Sequence, residues 1–326
     1  MHGIKKYIIL LIIGSVAFAA LFFYLGYREF HQPNQMETES VFLVPAGQGL
    51  IRTARLLDEQ KLISDREIFK IGVMLSGKER TLKAGEFLIP AAASMKDILD
   101  ILVAGTVIQH QLTIVEGWTS VQIFDYLNAI DNLSEPLTDL PAEGSVLPES
   151  YKYTYGTSRL DILKRMQQNQ KIMLDDLWDN RAANLPIKTM DEAVTLASIV
   201  ERETGIAAER PHIAGVFINR LNRKIRLQSD PTIIYGIDRK GYIDRPLRRS
   251  QIENKENLYN TYQIDGLPPT PIAHPGIASL EAVLKPMATN DIFFVADGTG
   301  GHVFAETLDQ HKKNVAAWRK IENGRK

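Results

Sequence analysis

The sequence predicts an α+β protein carried on an N-terminal transmembrane helix. Three observations lead there: an uncharged apolar run near the N-terminus, short apolar runs of strand length broken by Gly and Pro, and longer runs with helical spacing opened by capping boxes. With 326 residues there is room for two domains, and 44% hydrophobic with 24% charged residues is ordinary globular composition. The net charge of −1 provides no basic excess for nucleic acid. The absence of cysteine excludes a disulfide framework and thiolate metal sites. The seven histidines show no paired H-x-x-x-H spacing beside acids, so neither a metal nor a cofactor is expected.

Residues 1–6 form a short N-terminus containing Lys5 and Lys6. Tyr7–Tyr27 holds no formal charge and is long enough to cross a hydrocarbon core of about 30 Å as a helix. The lysines precede it, while Arg28 and Glu29 cancel after it, so positive-inside logic puts the N-terminus in the cytoplasm and the rest outside, at the inner membrane. Ala17-Phe-Ala19 has the form of a signal-peptidase site, but the apolar run continues through Leu25, which favours an uncleaved single-pass anchor. Residues 28–40 read as a polar linker containing Pro33.

Residues 41–108 read as a small α+β subdomain. Val41–Val44 is a strand, and Leu50, Ile51, Ala54 and Leu57 recur at helical spacing. Ser64-Asp-Arg-Glu67 has the form of a capping box, Lys83–Ile89 of a second strand, and Ser94-Met-Lys-Asp97 of another helix start, stopped at Gly105. This subdomain either binds a polymer or spaces the next domain from the membrane.

Residues 109–326 read as the main domain. Leu112–Val115 is a strand candidate, and Thr119-Ser-Val-Gln122 caps a helix. Tyr151, Tyr153 and Tyr155 share one face of an extended segment, either a half-buried strand or a row of rings for stacking on sugars. Leu160–Trp178 is a long helix. Pro211 suits a first helical turn, Arg226–Thr232 is a polar stretch bent by Pro231, and strands flank Asp297–Gly301 as a hairpin.

The chemistry concentrates in Leu196–Gly205, LASIVERETG. Thr189-Met-Asp-Glu192 caps its helix, which is apolar nearly all round and therefore buried. It ends in Glu201 and Glu203, about 200° apart on the helix, so they are expected not to serve one cleft side by side. Burial raises a carboxyl pKa and suits a general acid. The alternative is that one or both pair with Arg202, Arg210 or Arg220 or face water past the helix end, and a carboxylate closed in such a pair could not meet a saccharide.

Six blocks in order resemble one family: Ala197–Thr204, Val216–Leu221, Leu227–Gly236, Tyr259–Tyr262, Gly266–Gly276, and Phe294–Gly298 with Gly300. The chain resembles the YceG-like family, the membrane-bound endolytic murein transglycosylases, and residues 41–108 are similar to a LysM-like subdomain. His274 stands where Asn is expected, and Ser229 where Thr is usual. The resemblance implies cleavage of peptidoglycan glycan strands between N-acetylmuramic acid and N-acetylglucosamine, leaving 1,6-anhydro-muramyl ends and terminating strand growth. It implies Glu201 as the catalytic glutamate, with Glu203 a structural partner. Gln228, Ser229, Asp230, Asn260 and Tyr262 become the candidates for holding sugars and developing charge. The implied partners are glycan strands, the membrane and peptidoglycan synthases. Two other readings stay open: a hydrolytic muramidase using Asp230 as second carboxylate, and a membrane-anchored peptidoglycan-binding scaffold.

Overall fold

The computed structural model describes residues 2–324. The fold is α+β: long helices with three two-stranded sheets. Two compact units divide the chain, Met1–His110 with Lys152–Gly156, and Gln111–Tyr151 with Thr157–Lys326.

The first unit begins with α1 (His2–His31), whose segment Ile4–His31 is long and apolar enough to cross a membrane, with its apolar stretch exposed. It fits a single-pass anchor. The helix runs past the expected end at Tyr27, because Phe30 has a place to go: it is 5% exposed, packed on Phe69 and on Gly72. The polar stretch expected to begin at Arg28 therefore starts with a turn of helix. Strand β1 (Ser40–Val44) pairs antiparallel with β2 (Gly85–Ile89), Phe42 opposite Phe87. Gly85 has φ 137°, and a Cβ there would lie 2.4 Å from Val107, so only glycine fits. Helices α2 (Leu50–Glu59), α3 (Arg66–Leu75) and α4 (Met95–Ala104) close over the sheet, burying Leu57, Phe69, Val73, Ile98, Leu99 and Leu102 completely. The expected capping box at Ser64 is displaced by one residue. Asp65 caps α3, accepting from Glu67 and Ile68 amides, while the Ser64 hydroxyl turns to Glu29 of α1.

In the second unit, α5 (Ser120–Asn128) opens with the Thr119–Gln122 capping box. Strand β3 (His110–Thr113) pairs with β4 (Ser150–Tyr153). Tyr151 and Tyr153 are buried and Tyr155 is half exposed, the pattern of a half-buried strand rather than of a stacking surface. The core is built by α6 (Arg159–Asp179), α7 (Met190–Glu203), α8 (Arg210–Asn222) and later α11 (Ile277–Leu284). Pro231 opens α9 (Asp230–Ile237) instead of bending a loop, since its missing amide costs nothing in a first helical turn. A short α10 (Arg249–Ile252) follows, and hairpin β5 (Phe293–Ala296)–β6 (His302–Ala305) leads into α12 (Leu308–Gly324).

The Phe30 contact fastens α1 to the first unit. Phe30→Ala is expected to lower the stability of the full chain in detergent by about 3 kcal/mol, read by chemical denaturation. An unchanged midpoint would mean that the end of α1 is held some other way.

Candidate active site

Helix α7 starts at a satisfied capping box and buries every residue from Ala193 to Val200. Ser198 secures it from inside: its hydroxyl donates to the Thr195 carbonyl at 2.7 Å and accepts the Ile272 amide at 3.0 Å. The rigid helix then delivers Glu201, Arg202 and Glu203 to a cleft of about 380 Å³, lined by residues 115–117, 201–205 and Arg210. Both glutamates border this cleft, contrary to the angular argument from the sequence, because the opening wraps around the C-terminal end of the helix.

The two carboxyls have opposite surroundings. Glu201 has a side chain only 5% exposed, with Oε1 accepting from Arg210 Nη2 at 2.9 Å and Oε2 accepting the Gly276 amide at 2.9 Å. Arg210 Nη2 also reaches Glu116 Oε2 at 3.2 Å. Glu116 crosses beside Gly276, at the space a Cβ would need. Each oxygen of Glu201 thus has a protein donor.

Glu203 makes no ion pair among the described residues. It takes one hydrogen bond, from the Ser229 hydroxyl to Oε1. It lines the cleft yet is closely enclosed, and that burial pushes its carboxyl up to about 7. The Asp230 charge pushes the same way, against the Ser229 hydrogen bond and the more distant His302 and Arg220. The negative end of the α7 dipole also favours the neutral acid. Arg220 cannot move closer, since its guanidinium donates to the carbonyls of Leu227 and Ile292, each at 2.6 Å.

Ser229 is placed by a loop that sequence reasoning did not resolve. Gln228 adopts φ 51°, a left-handed conformation that bends the chain, and its amide donates to the Thr261 carbonyl. The Ser229 amide donates to Thr261 Oγ1 at 2.9 Å, and Thr232 Oγ1 donates to the Ser229 carbonyl at 2.6 Å. Thr261 and Thr232, both fully buried, are the unforeseen supports; the Asn260-Thr-Tyr262 block carried the signal. Asp230 is exposed and accepts from the Tyr262 hydroxyl at 2.8 Å. Ser229, Asp230 and Tyr262 therefore gather around Glu203, with the exposed Gln228 side chain beside them. Asn260 does not join them. It is fully buried, and its amide nitrogen donates to the carbonyls of Gln251, Ile252 and Asn254, leaving nothing for a sugar.

Behind the cleft, His274 is fully buried between Ser120 and Glu143. The trio has the composition of a catalytic triad, but the Val146 amide donates to Nδ1 at 3.1 Å. Any proton on the ring then sits on Nε2, facing Ser120 Oγ, so this histidine cannot take the serine proton. Burial drops its pKa to about 3. Its backbone clasps the loop instead: the His274 carbonyl accepts from Gly117, and its amide donates to the Trp118 carbonyl. That places Glu116 beside Arg210. Among the described residues no group of His, Cys, Asp and Glu is arranged to hold a metal ion.

Two expectations follow. Removing the cation from the Glu201 pair strands a buried charge, so Arg210→Met is expected to cost about 3–5 kcal/mol, and adding Glu201→Gln to recover most of it, measured by equilibrium unfolding. For Glu203, burial raises the folded pKa from the ordinary 4.5 to about 7. Its favourable contribution is complete below pH 4.5 and is lost as pH rises through 7. Relative to Glu203→Gln, the parent chain should therefore lose up to about 3 kcal/mol across that window. A constant difference across the window would contradict the raised pKa.

Comparisons with known proteins give the family. A profile of the YceG-like family matches residues 42–317. The chain is 28% identical over 302 residues to an endolytic murein transglycosylase of Bacillus subtilis, covering 83% of this chain and 82% of that one. It is 27% identical over 318 residues to an endolytic murein transglycosylase of Streptococcus pneumoniae, covering 84% of this chain and spanning 57% of the relative's length. The crystal structure of a yceG-like protein from Listeria monocytogenes shares the fold, with a TM-score of 0.52 at 24% identity, over 85% of this chain and 99% of that one. The chain belongs to the YceG-like family.

Proposed function

We propose that this protein is an endolytic peptidoglycan transglycosylase, anchored in the cytoplasmic membrane by α1 with its second unit outside the cytoplasm. The relatives' names support the reaction class, and the apolar stretch of α1, with Lys5 and Lys6 before it in the same helix, supports the orientation. The substrate is the glycan strand, cut between N-acetylmuramic acid and N-acetylglucosamine. In this reading the enzyme ends strands beside the synthases that extend them.

The observation that carries the mechanism is the unpaired, enclosed Glu203. The resemblance pointed to Glu201, whose two carboxyl oxygens are both taken up inside the protein, Oε1 by Arg210 and Oε2 by the Gly276 amide. We therefore assign the acid to Glu203 and the organisation of the helix end to Glu201. With Oε1 engaged by Ser229, the proton sits on Oε2. Glu203 donates it to the leaving glycosidic oxygen as the bond to muramyl C1 breaks. The positive charge at C1 is met by the C6 hydroxyl of the same sugar, and the Glu203 carboxylate takes up the proton that hydroxyl releases. The C6–O–C1 bond closes the anhydro ring, and Glu203 is again neutral. One carboxyl does both transfers because the substrate brings its nucleophile. A glycosidase that hydrolyses the bond needs two, about 5–9.5 Å apart. Asp230, held by Tyr262, is suited to steady the charge at C1 from the cleft rim.

Murein digested with the full chain in detergent should yield fragments ending in anhydromuramic acid, lighter by one water than reducing ends. Glu203→Gln is expected to lower cleavage by about 10²–10⁴-fold while remaining folded. Glu201→Gln should retain a larger share of activity. Reducing ends would replace the lyase reading with hydrolysis. An active Glu203→Gln beside a folded, inactive Glu201→Gln would return the acid role to Glu201.

A further inference from the structure

The first unit carries a surface that the catalytic reading leaves unused. Between α2 and α3 lies a groove of about 810 Å³ whose apolar floor includes Leu50, Ile51 and Met74. Arg52, Arg55, Arg66 and Lys70 rim it, against the carboxylates of Glu67 and Glu79. Ile51 is 77% exposed and Met74 63%, and on α3 the apolar exposure continues to Ile71 and to Leu75 at 68%. So many large apolar side chains left open on a small unit mark a contact surface.

The occupant is indicated by α1. Gly72 of α3 meets Phe30 of α1, and a Cβ there would overlap the Phe30 ring. Ile71 and Leu75 flank Gly72 on the next faces of the same helix. Phe30 lies only three residues, about 4.5 Å of helix, beyond Tyr27. Tyr24 and Tyr27, both exposed, are the aromatic side chains expected at the headgroup level where α1 leaves the bilayer. The apolar face of α3 is therefore held within roughly one helix diameter, about 10 Å, of the end of the membrane segment. An apolar face with a basic rim, fastened to the emerging end of an anchor, has the composition of an interfacial surface: side chains enter the acyl boundary and arginines meet phosphates.

We propose that the α2–α3 face of the first unit docks on the bilayer surface, with Ile51, Ile71, Met74 and Leu75 in the interface and Arg52, Arg55 and Arg66 on anionic headgroups. This surface fixes the first unit flat against the membrane instead of leaving it on a free stalk. The inference rests on α1 being an anchor, which flotation of the chain with vesicles reports separately.

The chain has no cysteine, so single probes can be placed without altering native residues elsewhere. The full chain carrying Ile51→Cys, Met74→Cys or Leu75→Cys, each labelled with a fluorophore, is reconstituted in vesicles of phosphatidylcholine and phosphatidylglycerol containing brominated acyl chains. Glu322→Cys in α12 is the reference. Quenching at positions 51, 74 and 75 should exceed that at 322 several-fold. Arg52→Glu, Arg55→Glu and Arg66→Glu together should reduce it toward the reference. Quenching no greater than at 322 would overturn the proposal. So would protection from an aqueous quencher that arises only when soluble glycan strands are added, which would give the groove to the polymer. Quenching unchanged by the three charge reversals would overturn the headgroup contact.

Discussion

The site depends on the ion pair between Glu201 and Arg210. Helix α7 is buried along its length and ends in acids, where the helix dipole is negative and a carboxylate is least welcome. Arg210, at the start of α8, answers one of the two charges, and the Gly276 amide completes the coordination. With that end pinned, Glu203 is fixed on the far side of the helix end, near Ser229 and Asp230 and without an ion-pair partner among the described residues. One charge neutralised and the next left to stay protonated is how a pair of like residues two positions apart comes to have different chemistry.

Much of the fold was legible from the sequence. The Thr189 and Thr119 capping boxes, the Gly105 stop and the apolar run of α7 are local patterns, and each folded as its spacing predicts. What failed depended on tertiary partners. The length of α1 could not be read without knowing that Phe30 has Gly72 to pack on. Ser64 lost the cap to Asp65 because Glu29 claimed its hydroxyl. Pro231 began a helix because the segment around Thr261 supports the turn before it.

The candidate site was legible as a stretch but not in its roles. Sequence spacing separated Glu201 from Glu203 by angle and named Arg210 among possible partners; it could not choose which glutamate Arg210 would take. The Gly276 amide, far along the chain, takes the second oxygen of the glutamate that Arg210 holds. Asn260 illustrates the opposite case. A polar residue in a matching block suggested a ligand contact, but it is spent holding the loop that supports Ser229.

The central claim is that Glu203 is protonated near neutral pH while Glu201 is not available to donate. Infrared difference titration of the full chain, referenced to Glu203→Gln, isolates the C=O stretch of this single acid. The account predicts a protonated carboxyl that titrates with a midpoint near 7 and vanishes in the variant. A midpoint at the ordinary carboxylate value would contradict it, because an acid already ionised at neutral pH has no proton for the glycosidic oxygen.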